Sequence, residues 1–303
     1  MARNIVPEAE ALLDELIPVL DHGFVRLVDY LGGDARIVQA ARVSYGEGTK
    51  TQREDRALIH YLLRNCHTSP FEQVVLTFHC KLPIFVARQW IRHRTARVNE
   101  LSGRYSVMRD EFYVPDLGRI QLQDENNKQG SAGNIASDVA AQVLAVLKRE
   151  QAGVYGSYGE LLREGVAREL ARINLPLSLY TEWYWQIDLH NLFHFLKLRL
   201  DSHAQFEIRE YAKVLGQCAR AVAPLAYEAF EEHELYGASF SRSELKLLRK
   251  LLDLAGINNR SKLGKHTKLN QRRITEFKSK LWGEAEPAVP EIKPVDRCEP
   301  AKE

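Results

Sequence analysis

The chain has little of what a disulfide framework or a zinc centre requires. Its 303 residues include four cysteines, which form no CxxC pair and do not alternate with histidine. Structural zinc sites and small secreted domains need closely spaced cysteines. We therefore expect no metal site, no disulfide framework and a reducing compartment. The four are Cys66, Cys80, Cys218 and Cys298.

Long apolar runs are also lacking. Residues 1–20 carry acidic side chains where a signal peptide needs an apolar segment. No stretch approaches the roughly twenty apolar residues that cross a bilayer. Hydrophobic residues still make up 45% of the chain, which suffices for a sizeable core at this length. We expect a globular, cytoplasmic protein with no membrane partner.

What the chain does have is a cluster of cations at residues 88–105, which read RQWIRHRTARVNELSGRY. The guanidinium group is always charged, and its fork of donors matches phosphate or carboxylate oxygens. Such a cluster therefore favours a site for several phosphates. The alternative is a solvated basic helix face whose arginines have carboxylate partners. The arginines are Arg88, Arg92, Arg94, Arg97 and Arg104.

This stretch resembles the signature of the flavin-dependent thymidylate synthases, which is RHR followed by SxNExSxRY. One position departs from it, because Arg97 stands where the family pattern has its first Ser. Three further blocks are similar to family segments, and the resemblance then spans residues 22–235 and leaves out the residues after 240. The blocks are AARVS at 40–44, HTSPFE at 67–72 and LRLDSHAQFEI at 198–208.

We expect a mixed α/β fold with a central, mainly antiparallel sheet flanked by helices, followed by a C-terminal helical extension. Alternating or β-branched and aromatic residues predict the strands, and helical spacing of apolar residues predicts the helices, one of them at 84–94. Asp34 is interpreted as the cap of the helix that follows it. The aromatic run Trp183, Tyr184 and Trp185 is interpreted as core packing. The predicted strands are 23–30, 74–82 and 179–187.

The chain is divided at residue 240 by a change in charge. Residues 241–283 carry twelve Lys or Arg against three Asp or Glu, whereas residues 1–240 are slightly acidic. We expect a catalytic domain at 1–240, a basic helical extension at 241–283 and a disordered tail at 284–303. The extension is interpreted as packing on the core or on a neighbouring subunit through Leu245, Leu248, Leu251 and Leu252.

The basic extension also leaves a second function open. Two basic helices can pair with phosphates, so the alternative is a nucleotide- or nucleic-acid-binding protein that acts through residues 241–283. An enzyme would instead place its anion site within residues 88–105. We favour the enzyme, with nucleic acid as the less favoured partner.

The resemblance implies ligand contacts, which are carried over by position. Some residues are implied for both ligands, and some contacts are implied to come from neighbouring subunits of a homotetramer. The implied FAD contacts are Ser44, Ser69, Glu72, Arg92, His93, Arg94, Asn99, His194 and His203. The implied dUMP contacts are Gln89, Arg92, Glu100, Ser102, Gly103, Arg104, Arg172 and Arg199.

The resemblance also implies the reaction, a reductive methylation of dUMP to dTMP. NADPH is the reductant of FAD, methylenetetrahydrofolate is the one-carbon donor, and the flavin carries the hydride. Arg199 is expected beside the uracil oxygens, where a cation stabilises an anionic ring. His67 is expected near the flavin and the folate entry, although alone it would be interpreted as an ordinary loop histidine.

Ser102 has two interpretations. A serine in a cationic pocket suggests a nucleophile, but a nucleophilic serine needs an adjacent general base, and the sequence offers none nearby. His93 lies nine residues away. We therefore interpret Ser102 as a hydrogen-bond donor to the substrate.

Overall fold

The computed structural model describes residues 5–43, 52–125, 128, 130–258 and 267–282. The chain forms two compact units, Met1–Gly237 and Ala238–Glu303. The expected tail at 284–303 lies outside the described residues. No helix in the described ranges is long and apolar enough to cross a membrane.

The first unit is built on a five-stranded sheet with the order β1-β2-β3-β7-β4. Each neighbouring pair in this sheet is antiparallel. A separate two-stranded hairpin joins β5 to β6. The strands are β1 Ile17–Val19, β2 Gly23–Leu31, β3 Val75–Pro83, β4 Arg97–Glu100, β5 Leu122–Gln123, β6 Ser131–Ala132 and β7 Tyr180–Asp188.

Helices of the first unit, among them α4, α7 and α8, pack against this sheet, so the expected mixed fold with a mainly antiparallel sheet is confirmed. Short 3-10 turns span Phe71–Gln73, Leu117–Arg119 and Arg172–Asn174, and a π-helix spans Glu231–Leu235. The α-helices are α1 Pro7–Glu10, α2 Asp34–Arg42, α3 Gln52–Arg64, α4 Ile84–Trp90, α5 Ser137–Arg163, α6 Arg168–Ala171, α7 Leu189–Arg199, α8 Phe206–Val222, α9 Pro224–Phe230, α10 Arg242–Leu254 and α11 Gln271–Trp282.

The two faces of the sheet differ because side chains alternate along each strand. On β7, Trp183 and Trp185 point inward and are buried, while Tyr184 between them is 45% exposed. Trp90 at the end of α4 packs edge-on against both tryptophans. The interpretation of Tyr184 as core packing is therefore wrong, whereas it holds for its two neighbours.

Asp34 does not cap its own helix, contrary to the expectation. The N-cap of α2 is Gly33, which makes no side-chain capping bond. The Asp34 carboxylate instead accepts hydrogen bonds from the backbone N–H groups of Leu225 at 2.8 Å and Ala226 at 2.9 Å. It therefore satisfies the first turn of α9, a helix that follows almost two hundred residues later.

We expect Asp34→Ala to lower the free energy of unfolding by about 1–3 kcal/mol, because two N–H groups at the start of α9 lose their acceptor. Asp34→Asn is the control, since its amide oxygen still accepts a hydrogen bond. Urea denaturation of both variants measures the difference. Equal stability of the alanine variant and the wild type would contradict the role of this cap.

The same carboxyl should make stability depend on pH. Burial, the largest cause, raises the pKa of Asp34 from its ordinary 3.8 to about 6, against the opposing effect of the two N–H groups. The folded state therefore binds this proton more tightly than the unfolded chain does. The stability that the protonated Asp34 carboxyl contributes to the folded state is complete below pH 3.8. It is lost as the pH rises through about 6. Relative to Asp34→Asn, the wild type should lose stability within that window.

In the second unit, α10 begins with a capping box. The Glu244 carboxylate accepts from the Ser241 N–H at 2.7 Å, and the Ser241 hydroxyl accepts from the Glu244 N–H at 3.3 Å. The α10 helix packs against α11, and Leu281 of α11 is buried. Of the four leucines expected to pack, Leu251 is 54% exposed.

Candidate active site

The arginine-rich stretch is a helix end, a turn and an edge strand. The predicted helix at 84–94 is wrong at its C-terminus, because α4 ends at the buried Trp90. Residues 91–96 then turn the chain into β4, which pairs with β7. The arginines after Trp90 therefore project from a turn and a strand and not from the last turn of a helix.

Four of these arginines have no protein partner among the residues that the structure describes. They are exposed, and none of their guanidinium groups makes a hydrogen bond or an ion pair with a described residue. This contradicts the alternative of a basic face with carboxylate partners. Arg104 differs, because its guanidinium contacts Glu169 at 3.0 Å. The four are Arg88, Arg92, Arg94 and Arg97.

His93 and Arg199 form a pair at the end of α7. The Arg199 Nε–H donates to His93 Nε2 at 3.1 Å. Burial first, then the positive charge of Arg199 and the nearby His194, lower the pKa of His93 to about 4. Burial also lowers the pKa of Arg199. His93 is therefore neutral at pH 7, accepts with Nε2 and retains Nδ1–H as a donor.

A cavity of about 270 Å³ brings together several of the residues implied for dUMP. Its lining includes Glu100, Gly103 and Arg172. The Thr181 hydroxyl donates to Glu100 at 2.8 Å and fixes that carboxylate. The Arg172 guanidinium makes no hydrogen bond or ion pair with another described residue, so it is available to a ligand.

Gly103 permits a close approach within this cavity. A Cβ at this position would lie 2.9 Å from Met108 Sδ and 3.0 Å from Arg172 Cδ. Only glycine lets the two side chains stay where they are. A glycine therefore suits position 103, because the Arg172 side chain lies against its backbone.

Ser102 lies at the start of the turn beside the cavity. Its hydroxyl accepts from the Arg104 N–H at 3.3 Å. Among the described residues, no histidine or carboxylate is hydrogen-bonded to it. The local geometry supports the donor interpretation because a nucleophilic serine requires a bonded base.

The block at 198–208 joins the same region through one contact. Gln89 on α4 donates its amide to Gln205. His203 is exposed and lies 2.7 Å from the Asp201 carboxylate. The backbone N–H and the ring of His203 lower the pKa of Asp201.

The loop at 67–72 stands apart from these contacts. Buried Phe71 anchors it, its 3-10 turn packs against α7, and Thr68 donates to Glu72 at 2.9 Å. His67 and Ser69 are exposed. Among the described residues, no hydrogen bond, ion pair or ring contact joins this loop to His93 or Arg199. Ser44 lies outside the described residues.

Two residues of the site were missed from the sequence. Thr181 orients Glu100 across the β4–β7 pairing, and Glu169 pairs with Arg104 from a short helix. Neither residue belongs to a motif recognised in the sequence. The alternation along β7 could have indicated that Thr181 shares a face with Trp183, but not which strand lies beside it.

Comparisons with known proteins agree with the motif. The family model described as "Thymidylate synthase complementing protein" matches residues 26–225. A flavin-dependent thymidylate synthase of Treponema denticola is 58% identical over 270 residues, 89% of this chain and 98% of the relative. One from Thermus thermophilus is 62% identical over 236 residues, 78% of this chain and 86% of the relative.

A solved structure is also similar, the UMP/dUMP methylase PolB from Streptomyces cacaoi bound with 5-Br dUMP. It is 33% identical with a TM-score of 0.66, and the match covers 73% of this chain and all of that one. The Treponema match is longer than residues 1–240. The expectation that the resemblance stops before residue 240 is therefore wrong. Nothing in these comparisons supports the nucleic-acid-binding alternative.

Proposed function

The chain belongs to the flavin-dependent thymidylate synthase family, and on that premise we propose how its residues share the methylation of dUMP to dTMP. The observation that carries the proposal is the set of exposed arginines in residues 88–105 that lack a described partner. Guanidinium groups arranged in this way are suited to phosphates. Residues 1–240 form the catalytic domain in this proposal.

The cavity beside β4 is proposed to hold dUMP. Arg172 and Arg104 supply charge for the phosphate, and Gly103 keeps Arg172 close to the backbone. Glu100, held by Thr181, accepts a hydrogen bond from the nucleotide. The remaining contacts come from Gln89, Arg92, Ser102 and Arg199.

Arg199 is proposed as the residue that stabilises negative charge on the uracil ring. Its Nε–H is already used by His93, which leaves the outer nitrogens of the guanidinium for the ring oxygens. A cation that is fixed before the reaction stabilises developing charge without rearranging. His93 thereby acts as a positioning residue as well as a ligand contact.

The turn after α4 fits a flavin dinucleotide, because its arginines are exposed and lack protein partners. We assign Arg92 and Arg94 to the pyrophosphate, with neutral His93 and Asn99 as hydrogen-bonding groups. When bound, FAD supplies the hydride chemistry. Ser44, Ser69, Glu72, His194 and His203 complete the proposed contacts.

NADPH as the reductant and methylenetetrahydrofolate as the one-carbon donor are parts of this proposal. His67 is assigned to the folate entry, and its loop is proposed to act on the site of another subunit in a homotetramer. This arrangement agrees with the absence, among the described residues of one chain, of hydrogen bonds, ion pairs and ring contacts between that loop and Arg199. A cytoplasmic location stays a prediction from the sequence.

The test is release of tritium from dUMP labelled at ring carbon 5. Purified protein is assayed with FAD, NADPH and methylenetetrahydrofolate, and with each omitted in turn. We expect release that depends on all three. Protein that binds FAD and dUMP but releases no tritium in the full mixture would contradict the proposal.

Ser102→Ala should keep measurable turnover, with a loss below about tenfold, because one hydrogen bond to the substrate is removed and no covalent step is lost. The tritium assay measures turnover, and equilibrium dialysis measures dUMP binding. Complete loss of turnover with intact dUMP binding would support the nucleophile instead.

Gly103→Ala should raise the KM for dUMP by about tenfold, because the new methyl group displaces Arg172 from the phosphate and small shifts of positioned groups are costly. The control is Gly118→Ala, since a Cβ there meets nothing within 4 Å. Steady-state kinetics at varied dUMP measures both variants. An unchanged KM for Gly103→Ala would argue against the assignment of Arg172.

A further inference from the structure

The outward face of the sheet carries a fixed aromatic pair. The rings of Tyr184 on β7 and His79 on β3 stack with centroids 4.8 Å apart and planes 7° apart. Arg26 on β2 lies 3.1 Å from His79 Nδ1 and 3.4 Å from the Tyr184 hydroxyl. Because arginine only donates, Nδ1 accepts and Nε2–H donates to Glu182 at 3.1 Å. Three strands therefore hold this pair rigid.

The face of the Tyr184 ring opposite His79 is turned toward β4, the edge strand of the sheet. The register partner of Tyr184 on one side is His79, and on the other side it is Asn99 of β4. Strands lie about 4.8 Å apart, so a planar ring stacked on that face of Tyr184 would lie above Asn99. Tyr184 is 45% exposed, as such a platform requires.

Arg97 supplies a charge beside this platform. It precedes Asn99 by two residues on β4, so both side chains leave the same face of the strand, about 7 Å apart. Arg97 is exposed and has no partner among the described residues, and its register partner is the uncharged Gln186. An aromatic face next to a free guanidinium matches a ring that carries a phosphate.

We propose that Tyr184, Asn99 and Arg97 form a nucleotide-binding site, in which the ring of a nucleotide stacks on Tyr184 and its phosphate contacts Arg97. The inference rests on the proposed function, because that reaction uses two dinucleotides, FAD and NADPH. It goes further by assigning Tyr184, which no motif marks, and Arg97, which replaces the serine of the family pattern. A serine hydroxyl is too short to make the same phosphate contact.

The experiment compares Tyr184→Leu and Arg97→Ser with the control Tyr184→Phe in the full-length chain. Quenching of flavin fluorescence gives the dissociation constant of FAD, and flavin reduction at varied NADPH gives its KM. We expect each test variant to raise the dissociation constant of FAD or the KM for NADPH by about tenfold. In Tyr184→Phe both constants should stay within about twofold of the wild type. Arg97→Ser should also reduce the salt dependence of that binding. The constant that changes shows whether the bound nucleotide belongs to FAD or to NADPH.

Unchanged constants for both nucleotides in Tyr184→Leu and Arg97→Ser would overturn the proposal. A loss of affinity that follows dissociation of the assembly, measured by light scattering, would also overturn it, because the face would then be a subunit contact. Failure of the proposed function is distinguishable. Wild-type protein that binds FAD but releases no tritium would refute the reaction, while the effects of these variants on nucleotide binding would still be measurable.

Discussion

Arg199→Gln should lower kcat by about 100- to 1,000-fold while the protein still folds and retains FAD. Arg199 is half-buried at the end of α7, where its Nε–H is bonded to His93. A glutamine retains hydrogen-bond donors but not the positive charge. Removing one preorganised group that stabilises a developing anion typically costs this much. Single-turnover kinetics with tritium-labelled dUMP measures the step directly.

The control for this experiment is Arg199→Lys, which keeps the charge but loses the planar fork. Its kcat should fall less than that of the glutamine variant if charge is the essential property. A glutamine variant whose kcat stays within about threefold of the wild type would refute the role of Arg199.

The same variant should change the titration of His93. The charge of Arg199 is the second cause of the lowered pKa of His93, after burial. Without that cation, the pKa of His93 should rise from about 4 toward its ordinary value, but only in part, because the ring stays buried. Titration of the imidazole signals by NMR measures this shift. A merely structural role of Arg199 would leave the pKa unchanged.

The backbone that carries the candidate site was predicted only in part. The motif at Arg92, His93 and Arg94 was recognised in the sequence, but the strand at Arg97–Glu100 was not. Three of its four residues, Arg97, Asn99 and Glu100, are polar, and a segment this short carries no alternating pattern that would indicate a strand. The strand exists because β7 offers an open edge for hydrogen bonding, and a pairing of distant segments is not encoded in local spacing.

Long-range partners explain the other errors. Asp34 has the usual position of a helix cap, yet its carboxylate bonds to Leu225 and Ala226. Likewise, the run at 183–185 looks uniformly aromatic, and only the register of β7 separates Tyr184 from its neighbours. Periodicity indicates which residues share a face, while the contacts of that face depend on the complete fold.

Trp90 is a core residue at the end of α4, directly before the arginine-rich turn. Trp90→Ala should lower the free energy of unfolding by about 3–5 kcal/mol. The Trp90 side chain is fully buried, with ring centroids 5.1 Å from Trp185, 5.0 Å from Phe195 and 5.9 Å from Tyr211. Its indole N–H has no partner among the described residues, so the loss is one of packing. Urea denaturation of Trp90→Ala and the milder Trp90→Phe measures it.

The matched control is Phe230→Ala, because Phe230 makes no ring contact with Trp90 or His93 among the described residues. Phe230 is also fully buried and stacks on Phe193 with centroids 4.5 Å apart, so its loss should cost a similar amount. Because α4 ends at Trp90 and the arginines follow at once, Trp90→Ala should also weaken dUMP binding by the folded protein. Phe230→Ala should not. Equal dUMP affinities of the two folded variants would show that Trp90 supports the core alone and does not position the arginines.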